Sequence, residues 1–285
     1  MLAFLIQYVK ILSVCKRLKS YSFGENKMKT KLTDKKRIFF LDELRGFAVA
    51  CMVFYHAFYI LSSMYGYKWA ESLYLFFMPV QPFFAGLFVF ICGISCSLSR
   101  SNAKRGLIIL GAAAVVTVAT AVVMPKLGFV DCEIYFGILH LLSVCVLSCA
   151  LLEKPLGKVS PFAGILICAI LYPFANGISS GTLSYGSLMV FEIPETLYEN
   201  NWLAPLGIHS PDFFSADYFP IFPDIFIFFA GVFAGRHFKT CGFAEWTYTQ
   251  RAKLFGVLGR NALIVYIAHM PLIYALTELV RLIIK

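Results

Sequence analysis

The chain has 285 residues, 59% of them hydrophobic, 16% aromatic and only 14% charged, with a mean hydropathy of +0.75. Soluble domains sit nearer half apolar and a quarter charged; apolar runs of about 18 residues or more mark membrane spans, and because these runs do not alternate they exclude a transmembrane barrel as well. The formal net charge of +9 does not indicate nucleic acid, since its cations crowd ahead of the first apolar run and no recognition module accompanies them.

Residues 1–37 form a basic segment carrying Lys16, Arg17, Lys19, Lys27, Lys29, Lys31, Lys35, Lys36 and Arg37. Juxtamembrane cations of this kind fix topology and meet anionic lipid head groups. The apolar start MLAFLIQYVKILSVCKRLKS is too short and too interrupted to span, and it lacks the positive start and cleavage site of a signal peptide. An amphipathic helix lying on the inner surface suits it, although Met28 would also serve as a start.

For residues 38–285 the pattern predicts an all-α fold, a polytopic transmembrane helical bundle of about seven spans: 38–62, 74–98, 106–124, 134–152, 161–175, 218–235 and 257–280. Arg100, Lys104, Arg105, Lys154, Lys158, Arg236, Lys239, Arg251 and Lys253 fall in alternate connections. The opposite connections hold only Lys68 and Lys126, and the long loop 176–217 has no Lys or Arg. The positive-inside rule then places the N-terminus in the cytoplasm and the long loop outside. Seven spans also put Arg281 and Lys285 outside, where they fit poorly.

The outer loop interleaves Glu192, Glu195, Glu199, Asp212 and Asp217 with Tyr198, Trp202 and several Phe, and its prolines argue against a regular helix. Such a mixture suits a carbohydrate or amine-bearing acceptor, or else a lid over the helix ends. Cys92/Cys96 and Cys145/Cys149 are i,i+4 pairs, but no His or acid shares their faces at ligand spacing, so no metal is expected.

The chemistry concentrates in the first span, FLDELRGFAVACMVFYHAFYIL (40–61). Arg45 and His56 lie on one helix face, about 16 Å apart, because eleven residues make roughly three turns. Asp42 is close to the same stripe. Ionisable groups in a membrane helix are expensive and mark functional sites. A guanidinium at Arg45, beside Gly46 where another group can approach the backbone, could hold the phosphates of an anionic cofactor or simply pair with Asp42. The arm of coenzyme A would reach from there to His56. His140 and His269 are the other histidines within spans, and His269 precedes Pro271 by two residues, where a kink should free a carbonyl. Each alone could be an interhelical hydrogen bonder.

RIFFLDELRGFAVACMVFYH resembles the opening of bacterial membrane O-acyltransferases, with Arg45 and His56 in their Arg–ten residues–His spacing. FVFICGISCSLSR (88–100), YFGILHLLSV (135–144), DYFPIFPDIFIFFAGVFAGR (217–236) and LGRNALIVYIAHMPL (258–272) resemble, in that order, later blocks of the heparan-α-glucosaminide N-acetyltransferase catalytic-domain family. The resemblance implies transfer of an acyl group, acetyl above all, from cytoplasmic acyl-CoA to a sugar or envelope-glycan acceptor across the membrane. By motif, Arg45, with Asp42, belongs to the donor site and His56 is the base. The chain departs from the lysosomal member at His56, where that enzyme has Asn, and in SSMYGYKWAES (62–72), which lacks that enzyme's loop His.

The reading is therefore a transmembrane acyltransferase. His56 is its general base, Arg45 and Asp42 serve the acyl-CoA donor, and His140, Asp217, Tyr218 and His269 position the acceptor, with Asn261 a further polar candidate. A transporter or flippase using the same buried groups is the alternative, and a non-catalytic partner of an envelope enzyme a third. Membrane lipids and a glycan acceptor are the expected partners. A homodimer is compatible with such a bundle, and nothing in the sequence specifies an interface.

Overall fold

The computed structural model describes residues 37–126, 132–186 and 188–284, so the basic N-terminal segment and its expected interfacial helix fall, save for Arg37, outside the described residues. Among the described residues ten helices carry the fold: α1 (Phe39–Ser63), α2 (Lys68–Phe77), α3 (Gln81–Leu98), α4 (Asn102–Val118), α5 (Ile138–Leu151), α6 (Glu153–Lys158), α7 (Pro161–Ala175), α8 (Asp224–Cys241), α9 (Lys253–Arg260) and α10 (Ala262–Ile284). A 3₁₀ turn, Met78–Val80, joins α2 to α3, and α4 continues through a π-helical turn, Ala119–Val123, to Lys126.

Five helical runs among the described residues are long and apolar enough to cross a membrane: Phe39–Ser63, Lys68–Leu98, Asn102–Lys126, Pro161–Ser180 and Ala262–Ile283. The chain is an integral, polytopic helical membrane protein, but the expected count of seven spans is not confirmed. The fourth expected span shortens to the apolar helix Ile138–Leu151. The sixth starts only at Asp224, behind Pro220 and Pro223, and continues to Cys241. The last divides in two at Asn261, whose N–H and side-chain amide bond back to the Val257 carbonyl and close off α9.

Two compact units divide the described residues, 37–88 with 243–284 and those within 89–242, the boundary falling inside α3. In the first, α1 packs on α2, α9 and α10. Its contact with α9 is backbone to backbone. A Cβ on Gly46 would collide with the Phe255 carbonyl, and one on Gly259 with the Asp42 carbonyl. Close approach of small residues is how helices associate where lipid is as apolar as the side chains. Phe47 against Phe255 and Phe40 against Trp246 flank the crossing with edge-on ring pairs, at 5.8 and 4.6 Å.

The start of α9 has no cap of its own, since Ala252 occupies the cap position. Glu43, 7% exposed, supplies one from α1. Its Oε1 accepts the Arg251 and Ala252 backbone N–H groups at 2.7 and 2.8 Å. A carboxylate at a helix N-terminus satisfies orphan donors and matches the dipole. At the other end of α1, the Tyr65 hydroxyl donates to Glu278 (2.8 Å), which also pairs with Arg281 (2.9 Å). Arg281 thus has a polar setting at the end of α10.

In the second unit α4 packs on α5 and α7 on α8. The segments of α3 and α8 within it meet through Gly93 and Gly231, each set against a backbone carbonyl of the other helix, Phe228 and Phe90 respectively. The expected outer loop contains an antiparallel hairpin, β1 (Thr182–Tyr185) with β2 (Leu188–Glu192), pairing Thr182 with Glu192 and Tyr185 with Leu188. The sequence marks this loop only as non-helical. Adding a methyl group should separate packed from open glycines: Gly259→Ala is expected to cost about 1–3 kcal/mol by overpacking. Gly111→Ala, where a Cβ meets nothing within 4 Å and Ala favours the helix, should melt no lower than the parent in detergent.

Candidate active site

The ionisable groups of α1 form two clusters. At its start Asp42, 9% exposed, accepts two bonds from Arg37, through Nε and Nη2 at 2.8 Å each, and one from Arg45 Nη1 at 3.3 Å. Among the described residues the arrangement joins two guanidinium groups and one carboxylate, a net charge of +1. Here the structure shows the Arg45–Asp42 pair. The close approach anticipated at Gly46 is made by the backbone of α9, so no room for a ligand opens at that glycine. Glu43, which the sequence shows only as one acid among several, performs the capping just described.

Farther along α1, His56 reaches His269 of α10. His56 Nδ1 and His269 Nε2 stand 2.9 Å apart, with the rings stacked at 5.0 Å between centroids and 30° between planes. His269 is 5% exposed and its Nδ1 contacts the Tyr266 carbonyl. His56 is half-buried, with Tyr55 edge-on at 5.7 Å, and its Nε2 makes no hydrogen bond among the described residues. Pro271 does not end α10, which runs through it. A bond between two ring nitrogens needs one protonated and one bare, so the pair shares a single proton across the contact. The unbonded Nε2 of His56 is thus the group in this cluster open to a reaction partner. His269 was expected to position the acceptor; its two nitrogens are both occupied within the pair and its own helix.

His140, Asp217 and Tyr218 belong to the second unit, where their bonds serve its own backbone. His140 Nδ1 accepts the Gly137 N–H at 3.2 Å, and Nε2 faces Thr117 Oγ1 at 3.2 Å, which donates onward to the Ile134 carbonyl. Asp217 Oδ2 accepts the Ile138 N–H at 3.2 Å. Together they cap α5, whose cap residue Gly137 has no side chain to offer. Tyr218 donates to the Ala204 carbonyl at 2.6 Å, and burial pushes its hydroxyl up to about 12. It stays protonated, a donor, at any physiological pH. Its ring meets those of His209 and Phe213 edge-on, and beside them an open cleft of about 320 Å³ is lined by Tyr135, Phe136, Asn201, Trp202, Ala204, Pro205 and Phe213.

Asn261 serves as the break between α9 and α10. Sequence reasoning passed over Asp224, which stands in the first turn of α8 within electrostatic reach of Cys145 and Tyr172. The signal was available in the Pro-Asp step that opens the helix. Among the described residues no three His, Cys, Asp or Glu groups converge as metal ligands do. Capping by Asp217 predicts that Asp217→Ala loses about 1 kcal/mol of stability. Asp217→Asn, which retains an acceptor oxygen, should keep most of it; identical melting of all three proteins in detergent would remove the cap assignment.

Comparison with known proteins adds one finding. A family described as heparan-alpha-glucosaminide N-acetyltransferase, catalytic, matches residues 37–271, a span that takes in Asp42, Arg45, His56, His140, Asp217, Tyr218 and His269. No curated protein matches the chain, and no solved structure does. The match covers well over half of the 285 residues. With the apolar helices it gives the chain a transmembrane acetyltransferase kind of function, and the chain belongs to the heparan-alpha-glucosaminide N-acetyltransferase catalytic family.

Proposed function

We propose that this protein takes the acetyl group of cytoplasmic acetyl-CoA and transfers it to an amine or hydroxyl of a sugar or envelope glycan on the outer side of a bacterial plasma membrane. The observation that carries the reading is His56, an imidazole within a membrane helix of an acetyltransferase family member, whose Nε2 makes no hydrogen bond among the described residues. Family membership supports acetyl transfer. The basic residues ahead of α1 support a cytoplasmic N-terminus, and the acidic, aromatic loop 176–217 supports a polar acceptor on the opposite side.

His56 acts as general base. As the acceptor nitrogen or oxygen attacks the thioester carbonyl, His56 Nε2 takes its proton; the C–S bond then breaks, and the proton passes to the departing coenzyme A sulfur. The net positive group of Arg37, Asp42 and Arg45 attracts the phosphates of the donor about three helical turns away along α1. Because Asp42 orients both guanidinium groups, its loss should raise the KM for acetyl-CoA more than it lowers kcat.

Purified protein incubated with labelled acetyl-CoA and a mixture of amino sugars and envelope glycans should yield a labelled product by mass spectrometry. His56→Ala should lower the rate by about 10²–10⁴-fold, the range of a lost general base, and should leave melting near that of the parent. Full activity in His56→Ala would sink the assignment. No product together with no coenzyme A binding would favour transport through the same polar residues.

A further inference from the structure

We infer that His269 is a positioning residue that holds His56 in the tautomer with its proton on Nδ1 and a lone pair on Nε2. The inference rests on the reading of His56 as base and adds what makes it one. The starting point is the Tyr266 carbonyl, which can only accept. It faces His269 Nδ1, so that nitrogen carries a proton. His269 is 5% exposed on an apolar helix, where a charged imidazole would be costly, so the ring is neutral and its Nε2 is bare. That bare nitrogen lies 2.9 Å from His56 Nδ1, which must then donate. The remaining nitrogen of His56, Nε2, is left with its lone pair. Which nitrogen of an imidazole is basic is set by the bond made at the other. Here a backbone carbonyl of α10 sets it through one intervening ring. His269 thus acts through His56 and need not touch either substrate.

The full-length protein, labelled with ¹⁵N-histidine in detergent or nanodiscs, provides the test, with the His56 signals assigned from the His56→Ala spectrum. The wild-type His56 should show a protonated Nδ1 and a non-protonated Nε2. His269→Leu, which fills the space but accepts no bond, should move the proton largely to Nε2. In the acetyl-transfer assay it should lower kcat by about 10²-fold or more while the KM for acetyl-CoA holds. His269→Gln places an acceptor oxygen near the old Nε2 position and should restore both the tautomer and most of kcat. A wild-type His56 protonated on Nε2 overturns the inference whatever the assay shows. So does unchanged kcat in His269→Leu, or a Gln variant as impaired as the Leu one. If the wild type acetylates no acceptor, the base assignment falls separately and the spectrum still decides the tautomer.

Discussion

The contact on which the first unit depends is the glycine crossing of α1 and α9. With no Cβ at Gly46 or Gly259, the two backbones close to carbonyl contact, and Glu43 then lies where it can receive the free N–H groups at the start of α9. The connection from α9 to α10 is a single residue, Asn261, so fixing α9 against α1 also fixes where α10 begins. From that starting point α10 runs beside α1, and His269 arrives at His56. The polar pair is a result of an apolar, small-residue contact more than two helical turns away.

Polar residues in this chain serve two purposes that look alike in sequence. Buried polar groups need partners in an environment without water, and most of those described here find them in their own unit's backbone. Glu43, His140 and Asp217 cap helices, and Asn261 ends one. Each satisfies donors or acceptors that would otherwise be stranded in a low-dielectric setting, where the cost of an unmade bond is highest. His56 differs because, among the described residues, only one of its two nitrogens is used. That surplus bonding capacity distinguishes a group available for chemistry from one committed to architecture.

The helical membrane class was legible from composition. α1 and α7 lie within one residue of the apolar runs that announce them, because Ser160-Pro161 and the charged LDELR opening mark where they start. The other ends were obscured for identifiable reasons. The break at Asn261 lies ten residues before the nearest proline, Pro271, and the helix stop is made by local bonding that hydropathy does not register. The delayed start of α5 reflects Gly137 and a cap delivered from Asp217, eighty residues away. At the site, the shared face of Arg45 and His56 followed from helical periodicity alone. The pairing of His56 with His269, over 213 positions, could not, since periodicity within one helix says nothing about which face of another meets it.

α1 holds two fixed points, the Gly46 crossing and the His56 bond, with nine residues of uninterrupted helix between them. A helix converts sequence distance rigidly into rotation and rise, about 100° and 1.5 Å for each residue. One residue added or removed between the two points would therefore swing the imidazole by more than a quarter turn away from α10. The intervening side chains, FAVACMVFY, can vary in kind but not in number. For evolution this makes the segment a gauge of invariant length, free to drift in composition and closed to insertion.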